Sequence, residues 1–279
     1  DEAHRLNEKS GMFKNLGENQ IKEIIKSAKS CIFFLDEDQK VTWSDIGEKE
    51  EIGKYANEFG AKIHYLNLES QFRCNGSDGY LAWLDDVLQI KETANNSLNG
   101  VNYDFKIVDS PNELRELIFE KNKLNNKARI VAGYCWNWVS KLNKSSNDIV
   151  IPEYQFEMKW NLATDGNLWI ISPKSVREVG CIHTCQGLEV DYIGVIVGPD
   201  LIVRNNQIIT QPKKRAKTDK SLNGYSQDYK RNPKMADEKA DILIKNTYRT
   251  LMSRGLKGCY VYFTDKETEN YFKSRIGQQ

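Results

Sequence analysis

At 279 residues the chain is long enough for one large or two small domains, and its 40 basic and 39 acidic side chains leave a net charge of only +1. No global basic field is available to attract a polyanion, so any nucleic-acid site must be local. A mean hydropathy of −0.63, with no apolar run near the roughly 18 residues of a membrane-spanning helix, excludes such a helix and predicts no membrane partner.

The six cysteines (Cys31, Cys74, Cys135, Cys181, Cys185, Cys259) lack a CxxC spacing and sit in or beside apolar runs. That usage suits reduced core thiols, and with no signal-peptide pattern at the opening residues it predicts a cytoplasmic protein. Cys181, His183 and Cys185 have no second pair to complete a zinc site.

The sequence opens on Asp1-Glu2-Ala3-His4, two carboxylates with no hydrophobic strand before them. Residues 18–29 place Ile21, Ile24, Ile25 and Ala28 on one helical face. Residues 31–35 (Cys-Ile-Phe-Phe-Leu) then read as a short apolar strand ending in Asp36, Glu37, Asp38 and Gln39. Acids and an amide at the carboxyl end of a strand are where open α/β sheets hold ligands. A helix is predicted over 49–59 and a strand over 62–68, followed by Ser70-Gln-Phe-Arg73-Cys-Asn-Gly-Ser77 and a helix bearing Tyr80, Leu81, Leu84, Val87 and Leu88.

A strand over 101–108 leads through Asp109-Ser110-Pro111 into a helix over 112–120. Ser110 is the predicted N-cap, with proline at the first helical position. A further strand, 129–133, runs into Tyr134-Cys-Trp-Asn-Trp138. Strands alternating with helices at this spacing predict a parallel sheet built of βαβ units. The tryptophans at 136, 138, 160 and 169 read either as core filling or as a stacking platform for bases.

Residues 180–191, Gly-Cys-Ile-His-Thr-Cys-Gln-Gly-Leu-Glu-Val-Asp, join two apolar runs through a small polar turn. Residues 201–209 read as a hairpin around Asn205-Asn206. The most basic run, residues 212–220, reads either as a flexible insertion or as a track for a phosphate backbone, extended by Tyr225, Tyr229, Lys230 and Arg231. A long helix over 235–253 is predicted to end with Gly255 as its C′ glycine. A strand over 257–263 and a helix over 267–275 complete the chain.

Five of these strings resemble, in order, helicase motifs: Asp1-Glu-Ala-His4 motif II (Walker B), Asp36 to Gln39 motif III, Ser70 to Ser77 motif IV, His183 to Asp191 motif V and Tyr248 to Gly255 motif VI. The set is similar to the schlafen-type branch of superfamily 1 DNA/RNA helicase-like ATPases. The resemblance implies an α/β fold of parallel-sheet, RecA-like P-loop NTPase type, with two lobes and ATP bound between them. Residues 1–65 would be the C-terminal part of a truncated first lobe, and 66–279 a complete second lobe.

It further implies ATP and Mg²⁺ as cofactors, with Asp1 holding the metal and Glu2 activating water, a contribution of about 10²–10⁴ in rate. Gln39 would sense the γ-phosphate. Arg73 and Arg254 would neutralise the transferring phosphoryl, a role worth about 10³–10⁵. Gly187 would lie against the nucleotide, Glu189 would bind its ribose or hold the motif V turn, His183 and Thr184 would meet a nucleic-acid backbone, and Trp43 could stack on a base.

No GxxxxGK[ST] phosphate loop occurs in the chain. The expectation is therefore a C-terminal portion of a longer polypeptide whose N-terminal remainder carries the Walker A loop, with single-stranded DNA or RNA as partner. The competing reading is a nucleic-acid-binding or scaffolding module of helicase fold that does not turn over nucleotide. A metal-dependent nuclease using Asp36, Glu37 and Asp38 is a third, without a companion lysine or histidine at a recognisable spacing.

Overall fold

The predicted alternation of strands and helices closes into a seven-stranded sheet in a computed structural model, which describes residues 1–11, 16–67, 73–161, 168–185 and 188–277, the side chains of Arg73 and Asn75 excepted. In chain order the elements are α1 (Gln20–Ser27), α2 (Lys49–Glu58), α3 (Asp78–Val87), β1 (Asp104–Ile107), α4 (Pro111–Asn125), β2 (Ala128–Ala132), β3 (Ile149–Ile151), β4 (Phe156–Trp160), β5 (Glu178–Gly180), α5 (Ile182–Cys185), β6 (Val190–Val197), β7 (Leu201–Arg204), β8 (Gln207–Thr210), α6 (Tyr225–Arg231), α7 (Pro233–Met252), β9 (Gly255–Phe263) and α8 (Lys266–Ile276). Two compact units result. One comprises residues 1–69 and 220–246, the other 70–219 and 247–279.

The second unit holds the sheet, in the order β1-β9-β6-β2-β5-β4-β3. Every neighbouring pair is parallel except β3 with β4. The central strands β2, β6 and β9 are almost wholly buried apolar runs, as a parallel sheet covered on both faces requires. The chain is therefore an α/β protein with a RecA-like sheet.

Helix α4 starts where its sequence says it should, with the Ser110 hydroxyl accepting the Glu113 N–H at 3.1 Å and Pro111 in the first turn. It ends on Asn126 in the left-handed region, φ 59°. Gly194 lets α4 lie close on β6, because a Cβ there would fall 2.7 Å from Ile118 Cγ1. The hairpin β7–β8 turns on Asn205 (φ 52°) and Asn206 (φ 62°), two positive φ values in succession, which asparagine tolerates.

In the first unit, Asn19 caps α1 by accepting from the N–H groups of Ile21 and Lys22. Trp43, Tyr225, Ala236, Ala240 and Leu243 form its apolar cluster. Helix α7 begins in this unit and ends in the other, the division falling at Asn246.

Three expectations are corrected. Residues 31–35 and 62–67 form no strand; Leu68 lies outside the described residues. An apolar run becomes a strand only when a neighbour satisfies its backbone. Here Ala3 N–H donates to Phe34 O at 2.9 Å, but no ladder forms among the described residues, and Ile32 and Phe34 remain 80% and 54% exposed. Gly255 is not a left-handed cap but the first residue of β9, where a Cβ would stand 2.1 Å from Gly258 O.

The basic run is not a flexible insertion either. Arg215 is turned inward with its side chain 4% exposed, and Tyr225 is buried. Among the described residues no helix is long and apolar enough to cross a membrane.

Candidate nucleotide and strand-binding groups

In the first unit the opening acids and the 36–39 turn share one polar cluster. Asp1 is exposed and its Oδ1 accepts the Glu2 N–H at 2.9 Å. Glu2 adopts a left-handed backbone, φ 55°, which brings its Oε2 within 3.1 Å of His4 Nε2. His4 is buried, and burial lowers its pKa against the opposing charges of Glu2 and Asp36. Asp36 Oδ2 accepts from Gln39 Nε2 at 2.6 Å, and Asp36 Oδ1 accepts the Asp38 N–H at 3.2 Å.

Gln39 is thereby held with its amide on Asp36 and is only 3% exposed. The backbone at Leu35, just before this turn, does not enter the left-handed region. The expected Mg²⁺ ligand, Asp1, is an exposed carboxylate; Mg²⁺ in general prefers one or two carboxylates, phosphate oxygens and water to an all-protein cage. No group of three or more potential metal-ligating side chains occurs among the described residues.

Trp43 departs from expectation. Its indole N–H donates to Asp228 Oδ2 at 2.9 Å, its ring meets Tyr225 edge-on at 5.9 Å, and the Lys239 ammonium lies 4.6 Å from its centroid. At 7% exposure it is a packing residue of the first unit and has no open face for a base.

In the second unit, α5 links the carboxyl end of β5 to the amino end of β6. His183 and Thr184 therefore lie just past β5. His183 is exposed, its Nε2 3.5 Å from Asp219 Oδ1, and the Thr184 hydroxyl donates to Asn161 Oδ1 at 2.7 Å. Glu189, also exposed, precedes β6, and Arg254 precedes β9.

Arg254 is 1% exposed. Its Nε donates to Thr250 O at 3.2 Å and one terminal nitrogen to Leu188 O at 3.4 Å, while its own carbonyl accepts the Val190 N–H. Motif VI is thus fastened to the end of the motif V turn. Gly187 lies outside the described residues, as does the side chain of Arg73, whose backbone opens a 3-10 turn over Arg73–Gly76.

The sequence reading missed a buried network behind these groups. Arg215 donates to Asp200 at 3.0 Å and to Asp219 at 2.7 Å. Asp200 also accepts from the Tyr248 hydroxyl, which in turn accepts the Gly198 N–H at 2.9 Å. Burial pushes the Tyr248 phenol well up, so it stays protonated and donating. The only sequence signal was the i, i+4 spacing of Arg215 and Asp219 inside a run that otherwise looks solvated.

A family model for the Schlafen group 3 DNA/RNA helicase domain matches residues 1–265. The chain is also similar to the uncharacterized protein YPL245W of Saccharomyces cerevisiae (strain ATCC 204508 / S288c), 26% identical over 290 aligned positions, covering 96% of this chain and 62% of that protein. The chain thus spans less than two thirds of that relative's length. No solved structure matches. With the family match running through nearly the whole chain and its motif II, III, V and VI groups placed as described, the chain belongs to the Schlafen group 3 DNA/RNA helicase domain family.

Proposed function

We propose that the full-length protein is an ATPase stimulated by single-stranded DNA or RNA, and that this chain supplies its water-activating and charge-neutralising groups. The observation that supports it most directly is the shared polar cluster of Glu2, His4, Asp36 and Gln39, which joins motif II to motif III within one unit.

In this reading Asp1 holds Mg²⁺, which when bound to ATP shields the phosphate oxygens. Glu2 takes the proton of the attacking water, with His4 fixing the carboxylate at 3.1 Å. Gln39, held by Asp36, is the γ-phosphate sensor, and its release from that carboxylate accompanies nucleotide binding. Arg73 and Arg254 neutralise the phosphoryl group in flight. Gly187 and Glu189 belong to the nucleotide side of motif V, and His183 and Thr184 to its strand side. Alternation between nucleotide-bound and nucleotide-free states would change strand affinity and drive movement along the strand.

Glu2→Gln tests this in the full-length protein. Strand-stimulated hydrolysis is expected to fall about 10²–10⁴-fold with strand binding retained. Hydrolysis at the wild-type rate would overturn the role of Glu2. Strand binding by a wild-type protein that never turns over ATP would leave a silent binding module instead.

A further inference from the structure

The carboxyl ends of β2 and β5 carry two features that the helicase motifs leave unexplained. The first is the aromatic loop after β2. Of the four clustered tryptophans, Trp160 and Trp169 are core residues, each 1% exposed, whereas Trp136 and Trp138 are only half-buried. The loop is held rigidly. The buried Asp148 carboxylate accepts from Ser140 N (2.7 Å), Ser140 Oγ (2.6 Å) and Trp160 N (2.9 Å), and Trp160 Nε1 donates to Trp136 O at 3.0 Å. Lys141 stands 5.7 Å from the Trp138 ring centroid.

The second feature is the basic run, which is sewn to that loop. Ala216 N–H donates to Tyr134 O at 2.9 Å, Lys217 N–H to Asn137 Oδ1 at 3.0 Å, and Trp138 N–H to Thr218 Oγ1 at 3.1 Å. Arg215 is the one basic side chain of the run that is buried, and Lys214 and Lys217 are left exposed. Asp219, at the end of the same run, meets exposed His183 of motif V. An aromatic ring, three exposed ammonium groups and the motif V histidine thus share the carboxyl edge of a parallel sheet, where such folds bind ligands.

We propose that this edge of the second unit is a strand-binding surface, with Trp138 stacking on a base and Lys141, Lys214 and Lys217 against the phosphates that flank it. The occupant is single-stranded nucleic acid. Stacking needs an unpaired base, and exposed ammonium groups track a backbone without reading sequence. The inference rests on the strand-dependent reading above and adds a binding site to it. It would also give a chain with a net charge of only +1 a local cationic site.

The test is fluorescence anisotropy of a fluorescein-labelled oligodeoxythymidine, and of its ribose counterpart, titrated with the full chain across a salt series. Trp138→Ala is expected to weaken binding about 5- to 150-fold, the range of a lost stacking contact, while Trp138→Phe binds nearly as wild type. Combined Lys141→Gln, Lys214→Gln and Lys217→Gln is expected to lower the slope of log affinity against log salt by about 2, at about 0.7 per single-strand phosphate contact.

Should Trp138→Ala fail to fold, the phenylalanine and lysine variants still decide. Wild-type binding that all these variants reproduce would overturn the surface and leave strand dependence standing. No binding by the wild-type chain at low salt would overturn the surface, and no binding by the full-length protein under the same conditions would overturn the strand-dependent reading as well.

Discussion

At the scale of single residues, Arg215 shows what a charge can do once it leaves the surface. Its guanidinium serves two carboxylates, Asp200 and Asp219, whose side chains are 0% and 1% exposed. Arg215→Ala would leave both acids buried without their cation, a change that costs about 3–5 kcal/mol. Arg215→Lys keeps the charge but not the planar fork that reaches two partners, so it should fall between wild type and alanine. Urea unfolding followed by near-ultraviolet circular dichroism checks both; an alanine variant as stable as wild type would make the network incidental. Arg215 was illegible in sequence because it is flanked by exposed lysines, and side-chain direction in a 3-10 turn and loop has no simple period. Trp43 misled for the opposite reason. Its aromatic ring follows the motif III turn, but the partners that bury it, Asp228 and Tyr225, lie some two hundred residues along the chain.

At the scale of elements, helices were legible to within a few residues wherever a cap announced them. Ser110 with Pro111 announced the start of α4, whereas the Asn19 cap of α1 is seen only in the structure. At α8 the cap is Asp265, which accepts the Thr268 N–H at 2.9 Å and also binds Arg204. The Arg204 contact, with help from Thr268, lowers the carboxyl to about 2. A folded-state pKa below the unfolded value means stability that is present above about 4 and lost as pH falls toward 2. Asp265→Asn preserves a capping oxygen while removing the charge. Its destabilisation should therefore be seen at neutral pH and disappear as pH falls from about 4 to 2; a penalty constant over that range would assign the effect to capping alone.

Strands were less legible, because a strand depends on its neighbour. Residues 31–35 carry the same apolar signal as β2, yet β2 has β5 and β6 on either side and residues 31–35 have no ladder among the described residues. Gly255 separates the two kinds of information again. A C′ glycine tolerates asparagine, but Gly255 is constrained by the Gly258 carbonyl at 2.1 Å from any Cβ. Gly255→Asn should thus be no milder than Gly255→Ala, and each should lower the melting temperature by several degrees, the effect of about 1–3 kcal/mol of overpacking. A well-tolerated asparagine would restore the capping role.

At the scale of the whole molecule, the parallel sheet was readable from the spacing of apolar runs, but the division of the chain was not. Residues 220–246 belong with the first 69 although they follow the strands of the second unit, a pairing decided by the packing of Tyr225 and Leu243 on Trp43. The motif groups separate along the sheet in a way that a linear string conceals. His183 and Thr184 follow β5, whereas Glu189 and Arg254 precede β6 and β9.

That separation gives Arg254 a distinct signature. Its bonds to Thr250 O and Leu188 O tie it to the chain ahead of β9 and ahead of β6. If its guanidinium serves the phosphoryl group, Arg254→Ala in the full-length protein should lower hydrolysis about 10³–10⁵-fold with and without strand, leaving strand affinity near wild type. Arg254→Lys should rescue little, since an ammonium cannot reproduce the guanidinium fork. Unchanged hydrolysis in Arg254→Ala would exclude the residue from the chemistry. Parallel loss of hydrolysis and strand affinity would make it a brace for the motif V turn, acting through Leu188.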